Sequence, residues 1–496
     1  RGAWGLRRGA WGVGLGALAL LLACAANATA QGPDRSKPPV PGAPPDLVLP
    51  AVRKHALSNG LPVWIVEHHE VPVARVLLVA RAGGDSDPAG RFGVAAMMAS
   101  MMEEGAGDRD ALALADAIDF LGASLTVNSG LDASTVSLGV PVARLAQALP
   151  LMADVLLRPA FAPTELERLR QQALTELLQV RDNPSALATR AFARVVFGPR
   201  HRYGTVGGTR AVLAGLTVDD LRAAHARIFH PARSLLIVVG DVAADEVLRL
   251  LEAQFGGWRP AGPAGDLPPV PAAPRTTRRE IVIVNKPGAA QSQVRVGTVG
   301  VARDTPEYFP ITVANTILGG SFTSRLNQNL RETHGYSYGA GSVFDMRRSA
   351  GPFFATAGVQ TDKTAESVRE IFNEFAAMQR PVPPDELARA RNYVALGYPS
   401  TFETTGDIAG SLASLFVYQL PDDYPSHFVS RILAVTQSEV EAVAKQFFDV
   451  SRLVVVVVGD RAVIEVPLKA LNLGPVRVMA VDEVMGEAAP ASPARR

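Results

Sequence analysis

The sequence predicts an α+β protein built from two homologous mixed α/β domains joined by a linker, and three observations carry that reading. First, the chain repeats itself. "TVDDLRAAHARIFHPARSLLIVVGD" ends at Asp241 and "TQSEVEAVAKQFFDVSRLVVVVVGD" at Asp460, with Thr217, Phe229, Arg233 and Gly240 matching Thr436, Phe448, Arg452 and Gly459 at an offset of 219. Upstream, "PTELERLR" from Pro163 and "PDELARAR" from Pro384 match at an offset of 221. Second, each repeat opens on strand patterns and closes on a β-branched apolar run, "LLIVVG" and "LVVVVVG", of the kind that is buried on both faces. Third, amphipathic helical stretches lie between these strands, so each repeat is a sheet packed with helices.

Taken in order, residues 1–30 read as an export signal: Arg1, Arg7 and Arg8 form a basic start, and an apolar run from Trp11 to Ala23 falls short of the ~20 residues that span a membrane. Two ends of this segment are open. "LLAC" makes Cys24 a lipidation candidate of the lipoprotein type, and "ATA" closing at Ala30 fits ordinary cleavage. Residues 31–50 are a Pro-rich tether. The N-terminal domain occupies 51–255, with "LPVWIVE" and "VARVLLVARAG" as its first strands. Residues 256–279, rich in Pro and Gly, are the linker. The C-terminal domain runs over 280–473, opened by "REIVIVNK" and "SQVRVGTVGVA", and 474–496 reads as a flexible tail.

Composition removes several function classes. The chain has 496 residues, 48% of them hydrophobic, enough to bury large cores. Lys plus Arg number 49 against 48 Asp plus Glu, which leaves no basic field for nucleic acid. Cys24 is the one cysteine, so an internal disulfide and a Cys-based metal site are both excluded. The eight histidines offer no metal pattern. "EHHE" at 67–70 lies between strands, where neighbours point to opposite faces, and His225 and His230 are five apart, off register for one helix face.

The order and spacing of "LSNGLPVWIVE", "GRFGVAAMMASMMEEG", "ALTELLQVRDNP", "HRYGTVGG", the "VVGD" strand ends and "LGGSFTSRLNQNLRETHGYSYGAGS" resemble the pitrilysin/insulinase family of inverted-motif zinc peptidases, over about residues 50–470. The resemblance implies that the two domains form half of a clam-shell chamber. It implies a zinc helix bearing H-x-x-E-H, in which two His one turn apart bind zinc and the Glu activates water. Those positions are Ala96, Ala99 and Ser100 here, and the family's downstream third ligand falls at Glu176, which also fits an ordinary exposed helix glutamate. Methyl groups cannot ligate zinc, and one carboxylate is too few where three protein ligands are required. Ser100 as a nucleophile has no histidine base in view.

The second half keeps what the resemblance marks as substrate-binding residues, Arg331 and Tyr338, seven apart, whose donors would stabilise a carbonyl becoming an oxyanion. Tyr336 competes for the Tyr role and, two residues away on a strand, is expected to share its wall. Arg331 as a helix cap and Tyr338 as packing is the plainer alternative.

The expectation is therefore a chain inactive alone and binding no cofactor itself. It would be the non-zinc subunit of an exported, periplasmic heterodimeric metalloendopeptidase, anchored to the membrane only through lipid if Cys24 is modified. Its partner would be a homologous family member with an intact motif and the zinc, and its substrate a peptide or unfolded polypeptide. The rival expectation is a non-enzymatic scaffold or peptide-binding member of the same family.

Overall fold

The β-branched runs that mark the repeat lie at the centres of two six-stranded sheets. The computed structural model describes residues 49–205, 207–260, 262–267, 269–274 and 278–487. The signal segment 1–30, Cys24, most of the tether and the last residues of the tail lie outside the described residues. The first sheet comprises β1 (Arg53–Ala56), β2 (Pro62–Glu67), β3 (Val73–Ala80), β4 (Ser124–Ser129), β5 (Ser134–Pro141) and β6 (Ser234–Gly240), in the order β1-β2-β6-β3-β5-β4. The second comprises β7 (Glu280–Asn285), β8 (Gln291–Val299), β9 (Ser337–Phe344), β10 (Pro352–Gln360), β11 (Val454–Gly459) and β12 (Val476–Met479), in the order β12-β7-β11-β8-β10-β9.

The repeat is thus a repeat of topology. In each sheet the closing strand enters between two strands that follow one another in the chain, parallel to the earlier (β6 to β2, β11 to β7) and antiparallel to the later (β6 to β3, β11 to β8). The halves differ at one edge. The first sheet ends on β1, antiparallel to β2 and preceding it in the chain, whereas the second ends on β12, parallel to β7 and last in the chain. The expected flexible tail is therefore corrected: residues 476–479 are an edge strand and Val481–Met485 a short helix with Val484 and Met485 buried. Val476, Val478 and Met479 complete an edge that β7 would otherwise leave unpaired.

The helices that position the site and join the halves are α1 (Val94–Met102), α2 (Leu145–Leu157), α3 (Pro163–Asp182), α4 (Pro184–Phe197), α5 (Val218–Ile228), α6 (Thr364–Ala377), α7 (Pro384–Gly397), α8 (Thr405–Tyr418) and α9 (Gln437–Phe447). Their starts are written locally. Thr217 and Asp220 form a capping box at α5, and Thr436 and Glu439 form the matching one at α9. Asn183 accepts from Ser185 N and Ala186 N ahead of Pro184 at the start of α4, and Thr404 with Asp407 caps α8.

The helices α4 and α8 correspond in the repeat, and each serves the other half. Alternate residues of β6, Leu235, Ile237 and Val239, join Val66, Leu77 and Val79 in packing against Ile408, Ala409 and Leu412 of α8. The intervening Leu236 and Val238 face the first half's own core. In the second sheet Val454, Val456 and Val458 share a core with Leu187, Ala191 and Phe192 of α4, while Val455 and Val457 face their own half. Both central strands are consequently buried along their whole length, which is why their sequences do not alternate.

A polar seam reinforces the exchange. Arg348 of the second half donates its backbone N–H to Asp132 Oδ2 (2.8 Å) and its Nη1 to Asp85 Oδ2 (3.0 Å), and Tyr203 donates to Asp132 Oδ1 (3.3 Å). Burial pushes both carboxyls up, and Arg348 opposes that shift.

The exchange predicts that damage to α8 is felt in the other half. Leu412→Ala should lower stability by about 2–5 kcal/mol. Amide exchange should accelerate in Ser234–Gly240, far earlier in the chain; acceleration confined to residues after 280 would contradict the packing.

Candidate functional site

The site begins with the entry to α1. Gly93 precedes it at φ 104°, and a Cβ there would meet Gly208 Cα at 3.0 Å, so the chain needs glycine at this turn. The Asp87 carboxylate, buried, accepts from Gly93 N (2.8 Å) and Ala95 N (3.0 Å). Burial pushes Asp87 up to about 6, against the pull of those backbone N–H groups and of Arg227. The opposite side of α1 is fixed by Met98, Met101 and Met102, all fully buried. The helix is therefore held rigidly while one flank stays open.

On that flank, Ala96 and Ser100 face a cavity of about 620 Å³ whose walls also include Glu176 of α3, Arg190 of α4, Arg295 of β8 and Arg347. Positions far apart in sequence are brought to one space. Ala99 is 3% exposed, belongs to the apolar core and does not line the cavity. Ser100 Oγ donates to Ala96 O within its own helix (3.3 Å), and Glu176 accepts from Gln172 Nε2 (3.0 Å) one turn away. Glu176 is exposed along α3. Among the described residues no three His, Cys, Asp or Glu side chains come together as a metal would require, and the residues at the family's ligand positions do not fit zinc: one carboxylate faces two small side chains. Three histidines bond elsewhere in the fold. His69 Nδ1 meets Asp241 Oδ1 (2.7 Å), His225 Nε2 bonds Leu156 O (2.7 Å) and His230 Nε2 bonds Gly262 O (3.2 Å).

Arg331 and Tyr338 stand apart from this cavity. Arg331 sits in a π-helical segment, Gln328–Thr333, with its guanidinium 4.6 Å from the Phe322 ring centroid and 3.4 Å from Glu332 Oε1. Tyr338, on the edge strand β9, is 91% exposed. The expectation that Tyr336 and Tyr338 share a wall is corrected. A register shift lies between Ser337 and Ala340, where Ser337 Oγ accepts from Gly339 N and donates to Gly358 O. This bulge breaks the period of two. Tyr336 instead stacks on His334 at 4.9 Å and packs against the second core.

Sequence reasoning missed Arg190, Arg295 and Arg347. Arg295 carried a signal, a charge in the middle of the strand "QSQVRVGTV", where burial on both faces makes an arginine anomalous. The other two lie on a helix and a loop and look like ordinary surface charges.

Two family models match the chain: the insulinase (peptidase family M16) model over residues 63–201 and the peptidase M16 inactive-domain model over 215–394. An uncharacterised zinc protease of Mycobacterium leprae is 27% identical, over 70% of this chain and 77% of that one. A non-peptidase homologue of Helicobacter pylori is 22% identical, over 81% of this chain and 92% of that one. Among solved structures, a peptidase M16 inactive domain from Pseudomonas fluorescens superposes with a TM-score of 0.76 at 26% identity, covering 82% of this chain and 98% of that one. A Helicobacter pylori protease, at 20% identity, shares the fold with a TM-score of 0.77, covering 83% of this chain and 100% of that one.

Two outcomes are expected. The purified chain should carry far less than one zinc per molecule by elemental analysis, and Ala96→His with Ser100→His should raise zinc uptake in a Glu176-dependent way. Stoichiometric zinc with chelator-sensitive cleavage in the unaltered chain would refute the assignment. Asp87 sets a pH dependence. Its folded value of about 6 exceeds the ordinary carboxylate value, so the folded state binds more protons between about pH 4 and pH 6. Its contribution therefore falls as pH rises through that window. Asp87→Asn should remove about 2 kcal/mol of that difference between pH 4.5 and pH 7 in urea unfolding.

Proposed function

The chain belongs to the insulinase (M16 peptidase) family, and from that premise we propose that it is the non-zinc subunit of an exported two-chain zinc peptidase. The carrying observation is a contrast within one molecule. The three zinc-motif positions hold Ala96, Ala99 and Ser100, yet the helix bearing them keeps its glycine turn, its Asp87 clamp and its open flank. Arg331 and Tyr338 meanwhile remain in the second half, the tyrosine almost wholly open on a sheet edge. Arg331 also stands on a π-helical turn, a geometry that recurs at functional sites.

In this reading the companion chain supplies zinc and its activated water. This chain supplies donors: the Arg331 fork and the Tyr338 hydroxyl, which hydrogen-bond a substrate backbone and favour the oxyanion over the ground-state carbonyl. Relatives named as zinc proteases and as a non-peptidase homologue support a division of labour within the family. Export follows from the basic-apolar-small pattern of residues 1–30, with Cys24 or a residue near Gln31 as the mature start.

Mixing the chain with a family member bearing an intact zinc motif should produce peptidase activity. Arg331→Ala or Tyr338→Phe should lower kcat by roughly 10²–10³-fold, with association unchanged by size-exclusion chromatography. An effect on KM alone would reduce the pair to ground-state binding. Full activity in both variants would favour the scaffold reading. Mass spectrometry of the native N-terminus tests export, and retention of residues 1–22 would sink it.

A further inference from the structure

The cavity beside α1 holds a charge that the protein leaves without a counter-charge. Arg295 is 5% exposed. Its Nη1 donates to Val294 O (3.0 Å) and its Nη2 to Ser185 Oγ (3.0 Å), with Ser185 O and Thr189 Oγ1 at 3.4 Å, while Nε has no partner. Among the described residues it has no ion-pair partner, and burial alone shifts it, down to about 10. A buried cation without an anion is unfavourable. The position makes this worse. Ser185 and Thr189 belong to the first turns of α4, where the helix dipole opposes positive charge and favours an anion. Of the other charged groups in the lining, Asp345 pairs with Arg347 and Glu176 accepts from Gln172; most of the rest is apolar, including Met97, Leu177, Val180, Phe192 and Phe354.

We infer that this cavity binds the carboxy-terminal end of a peptide whose last residues are apolar, with the terminal carboxylate on Arg295 and the side chains in the apolar lining. A carboxylate would accept two charge-assisted hydrogen bonds from the guanidinium and sit at the favourable end of α4. The cavity is formed by one chain, so the site does not require the zinc-bearing companion. It rests on the peptide-binding reading above only for the nature of the ligand, and it involves neither Arg331 nor Tyr338.

The test uses the full mature chain alone, with a short N-terminally labelled peptide ending in leucine and phenylalanine, as free acid and as amide, followed by fluorescence anisotropy. The acid should bind more tightly by roughly ten- to a hundredfold. Arg295→Leu should erase the preference for acid over amide, and Ala193→Trp, which fills the cavity, should abolish binding of both even if the first variant folds poorly. Equal binding of acid and amide by the unaltered chain, or binding of neither, overturns the inference. Arg295-dependent binding of decanoate with no binding of the peptide overturns the peptide assignment. Because the companion is absent, this result can fail while reconstitution of peptidase activity succeeds, and the reverse.

Discussion

The reciprocal exchange of α4 and α8 is the constraint on which the rest of the structure depends. A central strand buried on both faces needs two coverings, and each half of this chain makes only one for itself. α8 covers the first sheet and α4 covers the second. The exchange explains the unbroken Val, Leu and Ile content of β6 and β11 and the burial of Asp85 and Asp132 beneath Arg348. It also creates the cavity, because α4 lies across the second sheet next to α1 and α3 and so brings Arg295 to the same space as Ala96 and Glu176. Burial of apolar area on this scale dominates folding energetics, so the two halves are energetically one object even though they repeat in sequence.

Given that scaffold, the replacement of zinc ligands carries little penalty. The α1 helix is anchored by Met98, Met101, Met102 and the Asp87 clamp, none of which belongs to the zinc motif. Ala96 and Ser100 project away from those anchors, and Ala99 joins the core as a small apolar residue. The architecture of a zinc helix thus survives without its chemistry. Where ligands stood in the family pattern there is open volume, and the charged groups at its border are Arg190, Arg295 and Arg347 together with Glu176 and Asp345.

Much of this was legible in the sequence, and what was not has identifiable causes. The repeat and the strand ends at Asp241 and Asp460 follow from local pattern and spacing, whereas the zinc-motif positions come from the family resemblance aligned on Gly93. The capping boxes at Thr217 and Thr436 are written in four residues each. The reach of Glu176 into the cavity of Ala96 and Ser100 came from family spacing, since nothing in "LTELLQV" distinguishes it from a surface helix. Three features escaped. The β12 edge depends on pairing with β7 across almost 200 residues, which a four-residue run cannot announce. The bulge at Ser337 depends on a side-chain hydroxyl bonding Gly358, so an assumed period of two failed at Tyr336 and Tyr338. The exchange itself is invisible locally, because an amphipathic helix does not state which sheet it will cover.

The exchange has a consequence for how the protein is made. The first sheet has all its strands once Gly240 is synthesised, but its outer face, with Val66, Leu77, Val79, Leu235, Ile237 and Val239, stays uncovered until Thr405–Tyr418 emerges. At 5–20 residues per second that interval is roughly 10–30 s. During it the nascent chain carries a wide apolar surface that only its own distant helix is shaped to close. A polypeptide arranged in this way cannot complete its N-terminal half early, and so it remains threadable until nearly the whole length exists. It also remains dependent on whatever shields that surface in the meantime.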